Sequence, residues 1–147
     1  MHFEGVRSFP FPTADVAVRL SDAGFLAGCL PDARVSEATP DRAAWKVKPK
    51  LSFIPGSLDA VLLATARDPG RSVEFRVVTK ALGAGATVAT RLEFHPADGG
   101  TAVVWAGDLV EVTGLMKMVP KALIQSSAEK VIEEVWAGVG ARLTEEG

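Results

Sequence analysis

Side chains able to carry chemistry are scarce in these 147 residues, which hold two histidines, His2 and His95, one cysteine, Cys29, and no tyrosine. A general base needs a partner within hydrogen-bond reach of the proton it takes, and no Ser-His-Asp arrangement can be built from the spacing. His95 falls on the outward parity of its strand beside Pro96 and a turn, so it reads as a surface histidine. Cys29 lies on an apolar helical turn before Pro31 with no adjacent Lys, Arg or His to lower its pKa, and reads as a small buried thiol. No Cys or His cluster has metal-ligand spacing, so neither a metal nor a cofactor is expected. Gly83-Ala84-Gly85 lacks the full glycine pattern of a phosphate cradle and opens no helix; it reads as a flexible hairpin. Catalytic residues are therefore expected to be absent, and the chemistry that remains is binding.

The 16 Lys and Arg against 18 Asp and Glu leave a net charge of -2. Nucleic-acid affinity rests on clustered cations releasing counterions, so nucleic acid is not an expected partner. Lys46, Lys48 and Lys50 form one basic stripe, read as a solvated strand face or as a docking stripe for anionic lipid or an acidic protein. Three charges at about 1 kcal/mol each support peripheral membrane contact at most. Every apolar run is broken before the roughly 18 residues a spanning helix needs, and Met1 to Phe11 carries Glu4 and Arg7 rather than a signal-peptide pattern. A lone cysteine forms no internal disulfide, which fits a reducing cytoplasm. One domain covering residues 1–147 is expected, long enough to bury a full apolar core.

The elements that would position a binding site follow from periodicity. Residues His2 to Phe9 read as a strand with Phe3, Gly5, Arg7 and Phe9 on one face, ended by Pro10 and Pro12. Thr13, as N-cap, opens a short helix through Leu20, and a second helical turn runs from Asp22 to Pro31. Between Ala33 and Leu109 the period is two, interrupted by turn signals such as Asp68-Pro69-Gly70 and Asp98-Gly99-Gly100, which leaves room for six strands. Leu58, Ala60, Leu62 and Ala64 alternate with Asp59, Val61, Leu63 and Thr65, and later strands repeat the pattern, so an antiparallel sheet with one dry face is expected. Asp59, Glu74, Arg76, Arg91 and Glu93 read as cross-strand charge pairs on the wet face. Val61 and Leu63 on that face allow for a homodimer contact or for ordinary surface scatter. After Gly114 the period returns to 3.6, with Ile124, Ala128, Val131, Val135 and Val139 along one face of a long helix, Leu123, Ile132 and Trp136 beside it, and Pro120 in its first turn.

This order gives an α+β fold in which a twisted sheet curls around one long C-terminal helix that cannot fill the whole concavity. A ligand cavity is expected, lined by Trp45, Val47, Leu62, Phe75, Val77, Val88, Leu92, Val103, Trp105 and Leu109 from the sheet and Ile124, Val131 and Val135 from the helix. Thr79, Thr90 and Ser127 are its candidate polar groups. The entrance is expected between Gly83 and Gly85 of the hairpin and Leu115, Met116, Met118 and Val119, whose unbranched methionines repack readily around different ligands.

Local motifs add a resemblance. Phe3-Glu4-Gly5, Pro12 before Val16 and Leu20, Asp22 leading to Leu26, Cys29-Leu30-Pro31 and Asp32, Phe53-Ile54-Pro55-Gly56, Gly83-Ala84-Gly85, Gly99-Gly100-Thr101 with Val103 and Trp105, and Gly114-Leu115 with Leu123, Ala128 and Lys130 resemble the carbon monoxide dehydrogenase CoxG family of the START-like (SRPBCC) superfamily. The resemblance covers nearly the whole chain and implies a helix-grip fold: a curved seven-stranded antiparallel sheet, two short helices between strands 1 and 2, and a closing helix. It further implies an accessory protein for CO dehydrogenase-type molybdenum oxidoreductases, linked to membrane recruitment or to lipophilic ligands such as quinones. Many members carry a C-terminal extension toward the membrane; with Gly147 following the helix, no such tail is expected here. The expectation is a non-enzymatic carrier of a quinone- or lipid-like molecule. The alternatives are a polyketide cyclase or aromatase-like enzyme, for which inward acids and bases are lacking, and a protein-assembly adaptor without a ligand.

Overall fold

The computed structural model describes residues 1–48 and 56–146. Lys50 of the basic stripe and Phe53, Ile54 and Pro55 of the first glycine turn lie outside the described residues. The chain runs β1 (His2–Phe9), α1 (Thr13–Leu20), α2 (Ala23–Gly28), β2 (Arg34–Ala38), β3 (Arg42–Val47), β4 (Leu58–Asp68), β5 (Ser72–Ala81), β6 (Ala84–Ala97), β7 (Gly100–Gly114), a 3-10 turn (Leu115–Met118) and α3 (Lys121–Glu146). The strands form one antiparallel sheet in the order β1-β7-β6-β5-β4-β3-β2. β2 to β7 are successive neighbours, while β1 pairs with β7 and α1 and α2 carry the chain across to the opposite edge.

Register sets one continuous inner face. Trp45 lies opposite Ala60, Ala60 opposite Thr79 and Thr79 opposite Ala86; the next row holds Leu62, Val77, Val88 and Leu109, and a further row Val73, Leu92, Trp105 and Gly5. Shifts in register near Ala64 and Thr87 add the local twist that curls the sheet. On the outer face two cross-strand pairs form, Lys46–Asp59 at 3.5 Å and Arg91–Glu74 at 3.7 Å, while Glu93, 3.2 Å from Arg91, pairs with it along the same strand.

Two local readings change. Thr13 is the first residue of α1 rather than its cap; Pro12 precedes the helix without a side-chain cap. Instead buried Thr101 donates to the Phe11 carbonyl oxygen at 2.8 Å and its hydroxyl lies 3.1 Å from that of Thr13, which fixes the helix entry from β7. Asp22 does cap α2, accepting the Phe25 N–H at 3.1 Å. Pro120 stands just ahead of α3, where its carbonyl accepts the Leu123 and Ile124 N–H groups at 3.0 and 3.2 Å.

The concave face is filled at one end. Val16 and Leu20 of α1, Val73, Val103, Val139 and Leu143 are fully buried, joined by Ala23, Ala27, Phe94 and Leu92. α3 is seated over this end by its second half. Arg142 donates to the Gly28 carbonyl oxygen at 2.8 Å, satisfying the end of α2, and its guanidinium stands 5.5 Å from the Phe25 ring centre. Trp136 stacks between Phe9 and Trp105 with ring centres 6.1 Å apart in both pairs. The first half of α3 is not seated in this way: Leu123 and Val131, placed by periodicity on the apolar face, are exposed. Periodicity finds the stripe; it does not show how much of the stripe has a surface to cover it.

Candidate functional site

Beyond the packed end, toward the hairpin joining β5 and β6, the same inner face is only half covered. Trp45, Val47, Val77, Val88, Thr90, Trp105 and Leu109 are half-buried, as are Ile124, Ser127 and Val135 of the helix above them. Leu62, Phe75, Leu92 and Val103 are buried and belong to the packed core. The residues expected to line a cavity therefore share one sheet face, four of them buried and the others, partly in the same rows, left half-covered as an apolar trough. Thr79, on the trough side, spends its hydroxyl on the Ala86 carbonyl oxygen at 3.2 Å.

A cleft of about 530 Å³ opens along the first half of α3, within the size range of small-molecule sites. Among the described residues it is bordered by Ser126, Ser127, Glu129, Lys130, Val131, Glu133 and Glu134. Ser127 and Val131 belong to the expected lining. The charged members were read from sequence as a purely solvated side, because their spacing records polarity and not the proximity of a recess. The expected entrance residues gather at the same end: the Leu115 N–H donates to the Gly83 carbonyl oxygen at 2.6 Å, and the 3-10 turn buries Met116 while Leu115 and Met118 stay exposed. Gly85 is buried, and Val119 is half-buried.

Arg7 brings a charge to the inner face. It shares the inner face of β1 with Phe3, Gly5 and Phe9, as the alternation indicates, and it pairs with Glu133 of α3 across the gap between sheet and helix. Parity placed Arg7 on the same face as Phe3, Gly5 and Phe9, but nothing in the sequence supplied its partner. The indole ring of Trp105 lies over Gly5, and its buried N–H finds no acceptor among the described residues.

The titratable groups with resolved shifts lie outside this region. A hydrogen bond with Asp108, 2.6 Å away, raises the His2 pKa above 6.5, with Glu4 at 3.3 Å adding to it. Arg91, and after it His95, hold the Glu93 carboxyl below 4.5. His95 is exposed and 3.4 Å from Glu93. Cys29 is buried, its thiol donating to the Phe25 carbonyl oxygen at 3.2 Å. Among the described residues, no His, Cys, Asp and Glu side chains converge as a metal site, and no helix is long and apolar enough to cross a membrane.

A model of the carbon monoxide dehydrogenase CoxG family matches residues 7–144. No protein of curated function matches the sequence. Among solved structures, a conserved protein of Geobacillus kaustophilus superposes with a TM-score of 0.84 at 14% identity, over 99% of this chain and 96% of that one. A START superfamily protein of Mycobacterium smegmatis superposes at 0.69 with 12% identity, over 99% of each chain. At such identities the likeness is one of architecture, and the architecture is START-like.

Proposed function

This chain belongs to the carbon monoxide dehydrogenase CoxG family, and from that premise we propose that it takes up a hydrophobic, quinone- or lipid-like molecule as a carrier or accessory protein for a CO dehydrogenase-type molybdenum oxidoreductase. What supports this reading is the row of half-buried apolar side chains on the inner face of β3 to β7, with the cleft of about 530 Å³ along the first half of α3. Burying about 300 Å² of apolar ligand surface there would contribute roughly 7.5 kcal/mol before the cost of association. Few directional groups face the trough, so the selectivity would be for size and apolarity rather than for a particular functional group.

Native mass spectrometry of the purified protein, followed by organic extraction, tests this directly. A stoichiometric lipophilic adduct is expected, together with quenching of tryptophan fluorescence by an added short-chain benzoquinone. Val131→Asp, at a position 46% exposed and therefore tolerant of a charge, should weaken that quenching while the fold persists. An empty protein that also takes up neither quinone nor fatty acid would overturn the reading.

A further inference from the structure

We infer that the inner face of the sheet holds a subsite for the neutral carbonyl oxygen of an otherwise apolar ligand, formed by the Thr90 hydroxyl beside a hollow over Gly107. The inference rests on the proposed function and deepens it, by assigning a place to one end of the ligand. Gly107 lies within β7 and faces inward: the register sets it between Phe3 of β1 and Thr90 of β6, in the row next to that of Trp105 and Gly5. A glycine inside a strand weakens the strand and commonly marks close approach of another group or of a ligand. Gly5 makes room for the Trp105 ring and Gly85 for the Thr113 hydroxyl, which a Cβ would meet at 2.9 and 2.6 Å. Gly107 has no such neighbour. A Cβ there would stand 3.8 Å from Val88 and 3.9 Å from the Thr90 hydroxyl oxygen, ordinary contact distances, although the position is buried. Packing does not account for the missing side chain, and what it leaves is a covered hollow the size of a methyl group or an oxygen atom.

The hollow has a polar wall. Of the hydroxyls expected around a ligand, that of Thr79 is spent on the Ala86 carbonyl oxygen and that of Ser127 borders the cleft on the helix. The half-buried Thr90 hydroxyl makes no hydrogen bond among the described residues, so it is left for a ligand to satisfy. An oxygen atom in the hollow, displaced about 1 Å from the Cβ position toward Thr90, would stand at hydrogen-bond distance from it. That oxygen is neutral. The cation on this face of β1, Arg7, lies opposite Val103, beyond Trp105, and is already paired with Glu133, so a carboxylate over Gly107 would be buried without a counter-charge. The rows also give the ligand a direction. Thr90 and Gly107 lie deeper than Thr79 and Ala86, toward the packed end, so the carbonyl end would be innermost and the apolar chain would extend toward the hairpin joining β5 and β6. Size and apolarity still dominate the affinity; the subsite adds one hydrogen bond and fixes which end leads.

Quenching of tryptophan fluorescence by hexylbenzoquinone tests the subsite, with displacement of that quinone by hexylbenzene, which keeps the ring and chain without the carbonyls, and by octanoate. Thr90→Val preserves the branched shape and removes the hydroxyl. It is expected to weaken the quinone about fivefold, the effect of one net hydrogen bond, and to leave hexylbenzene and octanoate bound as by the parent. Gly107→Ala fills the hollow without a clash. It should weaken the quinone in the same way while raising the urea midpoint, because alanine costs less than glycine within a strand; a purely structural glycine would not give tighter folding with weaker binding. Thr90→Val that binds the quinone like the parent, Gly107→Ala that does so, or a loss shared equally by hexylbenzene would each overturn the subsite and leave the trough standing as a binding site. A loss confined to octanoate would overturn the assignment to a neutral carbonyl. A parent that binds neither the quinone nor hexylbenzene would overturn the proposed function and the subsite together.

Discussion

Gly138 of α3 lies directly against the backbone of Cys29: a Cβ at position 138 would stand 2.0 Å from the Cys29 carbonyl oxygen. Only a residue without a side chain lets the helix approach the end of α2 so closely, and this contact, with Arg142 on Gly28, is why the second half of α3 is seated while the first half is not. Gly138→Ala must push helix and carbonyl apart. It is expected to lower stability by about 1–3 kcal/mol, read as a lower urea midpoint with an unchanged slope. A midpoint equal to that of the parent would mean that this contact does not hold the helix.

Trp105 depends on a second missing side chain. A Cβ on Gly5 would come within 2.9 Å of the Trp105 ring, and Trp105 in turn stacks on Trp136. Gly5→Ala should displace the indole and disturb the aromatic series Phe9, Trp136 and Trp105 without unfolding the sheet. Near-ultraviolet circular dichroism is expected to lose part of its tryptophan signal while the far-ultraviolet spectrum is retained. Loss of both together would show that the aromatic packing supports the whole fold.

How much of this was legible in the sequence depends on the kind of interaction. The strand β1, both short helices, the six following strands and the closing helix follow from alternation, turn residues and helical periodicity, because those signals are local. That Arg7 shares a face with Phe3, Gly5 and Phe9 was equally visible. Its partner Glu133 was not, since 126 positions separate them and only the tertiary fold brings them together. The cleft beside Glu129 and Lys130 was missed for a related reason: a charged helix face looks the same whether it meets open water or borders a recess. The 3-10 turn that points Leu115 and Met118 outward also left no clear signal, being shorter than any period that could reveal it.

His2 offers a pH-dependent test on the outer face. Its hydrogen bond to Asp108 raises its pKa in the folded chain, so its contribution is fully present below the unfolded value of about 6.5 and is lost as pH rises through the higher folded value. Proton NMR should show the His2 ring titrating above 6.5, and Asp108→Asn should move the midpoint down. Because both side chains are about half exposed, thermal stability should change little. A midpoint that does not respond to Asp108→Asn would remove this pair as the cause.

Arg7 and Glu133 join the edge of the sheet to α3 close to where the helix leaves the packed core. The Arg7 side chain is 33% exposed and that of Glu133 68%, so solvent screens the pair and its contribution to stability should stay below about 1 kcal/mol. Its position matters more than its strength. The C-terminal side of the pair is held by Trp136, Gly138 and Arg142, whereas the N-terminal side borders the cleft, so under the proposed function the pair would restrain the segment past which a bulky ligand enters. Glu133→Gln is therefore expected to leave the urea midpoint almost unchanged while speeding both entry and release of a short-chain benzoquinone in stopped-flow fluorescence, with affinity altered less than either rate. Arg7→Met should act in the same direction, and the double variant should add nothing to either single one, because the two changes remove the same tie. Rates that match the parent in both single variants would show that the first half of α3 moves independently of this ion pair.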